Sequence, residues 1–190
     1  MVDERIRAFV AVDMDETSVI SKLVEAQRAL RNLGADLKLV EPENIHATVR
    51  FLGEVPAPTI ELVKEQMNEL KFSPFDMEFV GLGAFPNLRR INVVWVGMRK
   101  GGEEISQVFE QLEPRFRKIG FDPDRKGFSP HVTIARAKTG RMREELAKLV
   151  DEMRDTPFGA IHVEEVRLKR SVLTPKGPVY STIHVVRASG

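Results

Sequence analysis

One short motif occurs twice in this chain of 190 residues, as Ile45-His-Ala-Thr-Val49 and again as Pro130-His-Val-Thr-Ile134. A glycine precedes each copy at nearly the same distance, because Gly34 lies 12 residues before the first histidine and Gly120 lies 11 residues before the second. The two histidines are 85 residues apart, which is close to half of the chain. Two copies are too few for a solenoid, so the repeat predicts a duplicated unit that folds as two lobes about a pseudo-two-fold axis, with a crevice between them.

The segments around the motifs predict alternating strands and helices. The stretch 7–13 is rich in β-branched and aromatic residues, which is typical of a strand, and apolar residues at helical spacing follow over 19–30. A similar order of strands and helices starts again in the second half of the chain. The sequence therefore predicts an α+β fold, as one bilobal domain over residues 1–190 with an internal repeat of approximately 7–90 and 91–188.

Composition excludes several classes of protein and site. The chain has no cysteine, so a disulfide framework, a zinc–cysteine site, an iron–sulfur cluster and a catalytic thiol are impossible. Because 29 basic and 28 acidic residues leave a net charge of +1, any contact with nucleic acid should be a local patch. No apolar run reaches the length of a membrane span and the first residues lack signal-peptide features, so we expect no membrane association and a cytoplasmic location. The low content of Asn and Gln indicates a thermophilic source.

The two motifs carry the residue types that phosphoryl chemistry needs. In a strand, residues i and i+2 point to the same face, so His46 shares a face with Thr48, and His131 shares one with Thr133. If a pseudo-two-fold axis relates the lobes, these faces meet across the crevice. Two imidazoles can then serve as acid and base near neutral pH, while two hydroxyls donate hydrogen bonds to phosphoryl oxygens. This arrangement is suited to in-line attack at phosphorus without a metal.

The sequence around both motifs resembles a known family. Ile45-His-Ala-Thr-Val-Arg-Phe-Leu-Gly53 and Ser129-Pro-His-Val-Thr-Ile-Ala-Arg136 are similar to the paired motifs of the 2H phosphoesterase superfamily, in particular of the bacterial and archaeal RNA 2′,3′-cyclic phosphodiesterases, historically called 2′-5′ RNA ligases. The strand Arg7-Ala-Phe-Val-Ala-Val12 supports the resemblance, which covers essentially the whole chain. It implies a bilobal α+β fold in which each lobe is an antiparallel sheet with helices on its outer face.

The resemblance also implies an activity and a role for each motif residue. The activity is hydrolysis of a terminal 2′,3′-cyclic phosphate to a 2′-phosphomonoester, with neither metal nor cofactor. His46 is similar in position to the general acid that protonates the departing 3′ oxygen, and His131 to the base that activates water. Thr48 and Thr133 correspond to phosphate ligands, and Arg136 to the basic residue that follows the second motif.

Strand alternation raises a question about the residues that follow each motif. Arg136 lies five residues after His131, and an odd offset turns a side chain to the opposite face. Either a β-bulge re-aims Arg136 or its long side chain reaches around. Arg50 lies four residues after His46 and is expected on the same face, where it could contact phosphate or substrate. Phe51 is expected in the core, with stacking on a base as the alternative.

Other charged and titratable residues have less specific interpretations. Three basic stretches could contact an RNA backbone but are also typical of solvated loops: Arg89-Arg90, Asp122-Pro-Asp-Arg-Lys126 and Lys169-Arg170. His162 and His184 are interpreted as surface or structural residues, because no Asp or Glu lies at ligand spacing and no metal site is expected. If residues 174–178 form the turn of a hairpin, His184 lies opposite Leu168 and His162 pairs near the chain end.

Three functions are compatible with these residues. The first is an RNA 2′,3′-cyclic phosphodiesterase, acting on RNA ends such as those of tRNA or on free cyclic nucleotides. The second is a 2′-5′ RNA ligase, in which the same histidines run the reaction backwards with a 5′-hydroxyl in place of water. The third is a non-catalytic RNA- or nucleotide-binding module, which would not need both imidazoles. No obligate protein partner is implied, and we expect a monomer.

Overall fold

The computed structural model describes residues 4–125 and 127–189, which contain nine strands and four α-helices. In chain order these are β1 (Arg5–Asp13), α1 (Thr17–Asn32), β2 (Leu37–Leu39), β3 (His46–Pro56), α2 (Ala57–Asn68), β4 (Phe75–Asn87), β5 (Arg90–Lys100), α3 (Gly102–Lys118), β6 (Val132–Ala137), α4 (Arg143–Glu152), β7 (Pro157–Val163), β8 (Glu165–Thr174) and β9 (Gly177–Arg187). A single 3₁₀ turn, Pro42–Asn44, precedes β3. The predicted α+β class is confirmed.

The strands form one curled antiparallel sheet with two recognisable parts. Its order is β7-β4-β5-β6-β3-β1-β8-β9, and the short strand β2 pairs with β6. The central strands β3 and β6 meet through one residue pair, Ala47 with Val132. We call β3, β1, β8 and β9 the first lobe, and β6, β5, β4 and β7 with β2 the second lobe. Because Ala47 and Val132 each follow a motif histidine, this joint places the two motifs side by side.

Each lobe takes strands from both halves of the sequence. In the first lobe, β1 pairs with β3 and with β8 from the second half of the chain. In the second lobe, β4 from the first half pairs with β5 and β7. The predicted sequence repeat, about 7–90 and 91–188, therefore does not divide the molecule into its two lobes.

Helices cover the face of the sheet that is opposite the motif side chains. Helices α1 and α4 pack on the second lobe, whereas α2 and α3 pack mainly on the first. The apolar side of α1 is buried as its spacing predicts, with Val19, Leu23 and Leu30 fully covered. The buried Gln27 anchors α1 to the second lobe, because its Nε2 donates to the carbonyl oxygen of Ile134 in β6 at 2.9 Å. None of the helices in the described ranges has the length and apolarity that a membrane crossing requires.

The C-terminal hairpin confirms one register prediction and corrects another. β8 and β9 pair around the turn at 174–177, and Leu168 lies opposite His184 as expected. His162 does not pair near the chain end, because the segment before the turn forms two strands, β7 and β8, and only β8 pairs with β9. His162 lies in β7 opposite Asp76 of β4.

Candidate active site

The five side chains to which the family resemblance gives a role line one crevice on the open face of the sheet. The crevice has a volume of about 530 Å³ and lies over the joint between β3 and β6. His46 and Thr48 enter it from the first lobe, and His131, Thr133 and Arg136 enter it from the second. The structure thus brings together two residue sets that lie 85 positions apart in the sequence.

Each histidine is held by the same backbone hydrogen bond. The Nδ1 atom of His46 lies 2.7 Å from the carbonyl oxygen of Asn44, and Nδ1 of His131 lies 2.6 Å from the carbonyl oxygen of Ser129. Because a carbonyl oxygen only accepts, Nδ1 is the protonated nitrogen in both rings. Nε2 is therefore the atom that can take up or release a proton in each half of the crevice.

The two histidines differ in what surrounds Nε2. Nε2 of His46 lies 2.9 Å from Oγ1 of Thr48, so the threonine hydroxyl donates to the neutral imidazole. Burial lowers the pKa of His46 below its ordinary value, although the Asn44 hydrogen bond and the charge of Asp13 act in the opposite direction. Burial also lowers the pKa of His131, and the positive charge of Arg136 adds to the lowering. Both rings are consequently neutral near pH 7 in the free protein.

Aromatic rings pack against both imidazoles. The ring of Phe9 lies 4.8 Å from that of His46, measured between centroids, and Tyr180 meets His46 edge-on at 5.4 Å. On the other side, Phe85 meets the His131 ring edge-on at 4.9 Å. These contacts exclude water from one side of each imidazole, which explains why burial dominates both pKa shifts.

A β-bulge directs Arg136 into the crevice. Along the β5–β6 pairing, Trp95 lies opposite Thr133 and Val94 lies opposite Ala135, so Ile134 is an extra residue on β6. An extra residue reverses the alternation of faces beyond it, which returns Arg136 to the face of Thr133. Of the two explanations that the sequence allows for Arg136, the bulge is the correct one.

The first motif contains the equivalent bulge, and this corrects two predictions. Along the β1–β3 pairing, Thr48 and Arg50 lie opposite consecutive residues of β1, so Val49 is the extra residue. Arg50 therefore does not share the face of His46. Its Nε instead donates to a carboxylate oxygen of Glu113 at 2.8 Å, behind the sheet. Phe51 is not a core residue, because it lines the crevice and is 45 % exposed.

The crevice carries a marked excess of positive charge. Arg7, Lys38, Arg136 and Lys176 line it, against the single carboxylate of Glu41 among the lining residues that the structure describes. Within residues 4–125 and 127–189, none of these four cations forms an ion pair with a carboxylate. Unpaired cations beside two neutral imidazoles make a site for an anion. Sequence reasoning missed Arg7, Lys38 and Lys176, which come from three segments that only the fold brings together.

The described residues of the three basic stretches suggested by the sequence do not line this crevice. Arg89 lies in the turn between β4 and β5, and Arg90 is the first residue of β5. Asp122 holds Arg50 through its carbonyl oxygen, and Lys126 of the same loop lies outside the described residues. In the third stretch, Lys169 donates to a carboxylate oxygen of Asp13 at 2.6 Å, and Arg170 lies near Glu4.

The remaining histidines have structural partners away from the crevice. Nδ1 of His162 lies 2.7 Å from a carboxylate oxygen of Asp76, and Nε2 of His184 lies 2.7 Å from the amide oxygen of Asn68. In the part of the chain that the structure describes, no three His, Asp or Glu side chains are grouped so that they could share a metal ion.

Comparison with known proteins supports a family assignment. A model of the LigT-like phosphoesterase family matches residues 14–95 and 96–180. The RNA 2′,3′-cyclic phosphodiesterase of Aeropyrum pernix is 39 % identical over 171 residues, covering 90 % of this chain and 97 % of that protein. The protein of the same name from Methanothermobacter thermautotrophicus is 38 % identical over 185 residues, covering 96 % and 99 %.

Comparison with a solved structure shows that the fold is similar as well. The crystal structure of TT0787 of Thermus thermophilus superposes with a TM-score of 0.77 at 30 % identity, covering 96 % of this chain and 97 % of that one. Sequence and fold thus agree over nearly the full length of the chain, and the two segments that the family model matches contain the two motifs. The chain belongs to the LigT-like phosphoesterase family.

Proposed function

We propose that the protein hydrolyses the terminal 2′,3′-cyclic phosphate of RNA to a 2′-phosphomonoester by two-histidine acid–base catalysis. The observation that carries the proposal is the pair of imidazoles in one cationic crevice, each with Nδ1 fixed by a backbone carbonyl and Nε2 left to exchange a proton. The names of the relatives from Aeropyrum and Methanothermobacter support the same activity.

The reaction needs one proton removed and one supplied. Nε2 of His131 takes a proton from water as the water oxygen bonds to phosphorus. The bond between phosphorus and the 3′ oxygen breaks on the opposite side, and Nε2 of His46 gives its proton to that oxygen. At the end His131 is charged and His46 is neutral, so a proton exchange with solvent restores the starting state.

The two roles need different protonation states, although burial lowers the pKa of both histidines. His131 has a lowered pKa, which keeps it neutral and able to accept a proton. His46 must be charged when substrate is bound, and a phosphate anion beside it opposes the lowering caused by burial. Once Nε2 of His46 carries a proton, it no longer accepts from Thr48. The hydroxyl of Thr48 is then released to donate to a phosphoryl oxygen.

Thr133 and Arg136 complete the phosphate site in this proposal. Arg136 has no carboxylate partner among the described residues, so its guanidinium can neutralise the negative charge of the phosphate directly. Its charge also lowers the pKa of His131. Arg136 would therefore bind the phosphate and, in addition to burial, favour the deprotonated form of His131.

Product analysis tests the proposal. The substrates are an oligonucleotide with a 2′,3′-cyclic phosphate end and free 2′,3′-cyclic nucleotides, incubated in EDTA. We expect 2′-phosphates from the native protein and strongly reduced turnover from His46→Ala and His131→Ala, with His184→Ala as the matched control outside the crevice. If neither the native protein nor any variant formed product above the protein-free rate, a non-catalytic RNA-binding module would instead be favoured. Loss of turnover in EDTA that a divalent ion restores would contradict the metal-free mechanism.

The reverse reaction uses the same groups. With a 5′-hydroxyl in place of water, His131 takes the proton of that hydroxyl as its oxygen bonds to phosphorus. His46 gives its proton to the departing 3′ oxygen, and the RNA ends are joined by a 2′-5′ bond. The same assay with a 5′-hydroxyl acceptor measures the ratio of joining to hydrolysis. We further propose that the protein acts as a monomer in the cytoplasm without an obligate protein partner, which size-exclusion chromatography and fractionation can test.

A further inference from the structure

An aromatic platform stands at the edge of the crevice beside His46. Phe51 is 45 % exposed and lines the crevice, and its ring lies nearly parallel to that of Phe9 at a centroid distance of 6.4 Å. Phe9 in turn contacts the ring of His46. The ring of Phe9 therefore lies between those of Phe51 and His46, and Phe51 is exposed to a ligand in the crevice.

A guanidinium accompanies this ring. The guanidinium carbon of Arg7 lies 4.7 Å from the centroid of Phe51. Arg7 also lines the crevice and has no carboxylate partner in the described part of the chain. Exposed aromatic rings and guanidinium planes are the surfaces on which nucleobases stack, and such stacking tolerates any base because every base has a flat face.

The equivalent position in the second lobe carries different chemistry. Both bulges bring the fifth residue after the histidine into the crevice, and that residue is Phe51 in the first lobe and Arg136 in the second. The first lobe thus offers a flat apolar surface where the second offers a cation. A ligand that is anionic at one end and flat and apolar at the other can bind in only one direction.

We propose that Phe51, together with Arg7, binds the nucleobase of the same nucleotide that carries the cyclic phosphate. The inference rests on the proposed function, which assigns His46 to the 3′ oxygen of that nucleotide. The ribose must then lie at His46, and the base extends from it past Phe9 towards Phe51. The platform would position the terminal nucleotide without selecting among the four bases.

Paired substrates separate this role from a purely structural one. One substrate is a nucleoside 2′,3′-cyclic phosphate, and the other is the 2,3-cyclic phosphate of 1-O-methylribose, which lacks a base. Phe51→Leu keeps an apolar side chain against Phe9 but removes the flat face. We expect it to lower kcat/KM for the nucleotide more than for the abasic compound, by roughly 5- to 150-fold. Phe51→Trp should restore the preference, and Leu62→Ala, an exposed apolar position of α2, is the matched control.

Each other outcome overturns the proposal. Equal losses for both substrates would make Phe51 a packing residue. A loss seen with a dinucleotide but not with the mononucleotide would assign the platform to the upstream base. Arg7→Gln gives a second variant with a smaller expected loss on the nucleotide alone.

Binding measurements distinguish failure of the platform from failure of the proposed function. If the native protein turned over no cyclic phosphate at all, the proposed function would be wrong. Equilibrium dialysis would then test nucleobase binding at Phe51 independently of turnover. It compares the affinities of adenosine 2′-phosphate and ribose 2-phosphate for the native protein and for Phe51→Leu. Tighter binding of the nucleotide that depends on Phe51 supports it, and equal binding contradicts it.

Discussion

The two halves of the crevice share their backbone geometry and differ in the side chains they present. Each has a ring fixed through Nδ1, a threonine two residues later and an extra strand residue, Val49 or Ile134, directly after it. They differ at the fifth position, which is Phe51 in one half and Arg136 in the other. The difference indicates that the repeated backbone sets where the two imidazoles lie, while the fifth position gives each half a different side chain to present to the crevice.

The largest expected effect comes from removing either imidazole. His46→Ala and His131→Ala should each lower kcat/KM by about 10²–10⁴, because each removes one proton transfer from the transition state. The double variant should lose much less than the product of the two. These rates are measured on a cyclic nucleotide at saturating and limiting concentrations.

A substrate with a good leaving group tells the two halves apart. It needs no proton on its departing oxygen, so it should largely rescue His46→Ala and leave His131→Ala inactive. Rescue of His131→Ala instead would reverse the assignment of acid and base.

Removing the cation of the second lobe should give an intermediate effect. Arg136→Gln should lower kcat/KM by roughly 10- to 150-fold, because a charge-assisted hydrogen bond to phosphate is lost. Although burial is the main cause of the lowered pKa of both histidines, Arg136 contributes to it. Removing its charge should therefore raise the pKa of both histidines and move both limbs of the kcat/KM pH profile to higher pH. A loss of activity with an unmoved profile would show that Arg136 only binds phosphate.

On the opposite face of β3, Arg50 should matter for stability. Its side chain is 10 % exposed and bonds Glu113 and the carbonyl oxygen of Asp122, which precedes His131 in the chain. Arg50→Ala should lower the free energy of unfolding by about 2–4 kcal/mol, because a largely buried carboxylate loses its partner. Denaturant unfolding measures this, and Arg154→Ala, at an exposed ion pair, should leave the midpoint in place. An unchanged midpoint for Arg50→Ala would contradict the proposed anchoring.

The smallest expected effect is on how the free energy of unfolding changes with pH. Burial lowers the pKa of His46 and His131, so well above pH 6.5 both are neutral in the folded and unfolded states and do not change the free energy of unfolding. Below that pH the unfolded chain takes up protons that the folded protein does not, and stability falls. His46→Gln should lessen this fall between pH 8 and pH 5. His162 is the control of opposite sign, because its hydrogen bond to Asp76 raises its pKa.

Features set by local pattern could be predicted from the sequence. The apolar face of α1 follows from helical spacing, and the pairing of Leu168 with His184 follows from one turn. The motif residues of the site follow from a repeat and from strand alternation. The helix and the hairpin depend on residues close together in the chain, and the repeat depends on comparing two short local stretches.

Features set by pairing between distant strands could not be predicted in the same way. A bulge is defined by the partner strand, so the faces of Arg50 and Phe51 depend on β1, about 40 residues earlier in the chain. The bulge in the first motif could still have been predicted from the repeat. The question raised by Arg136 in the second motif applies equally to the first motif, and the repeat would have carried the bulge from Ile134 to Val49.

The exchange of strands between the lobes bears on how such a molecule could have been assembled. A polypeptide of only the first half would leave β1 without β8 and β4 without β5, so both sheet edges would be open. Two such polypeptides could close those edges by each lending its last strand to the other, as a symmetric domain-swapped dimer. The short turn between β4 and β5 makes that association intramolecular and independent of protein concentration. Joining the two halves in one chain also lets their sequences diverge. In a dimer of identical chains, both halves would carry the same residue at the position that holds Phe51 in one half and Arg136 in the other.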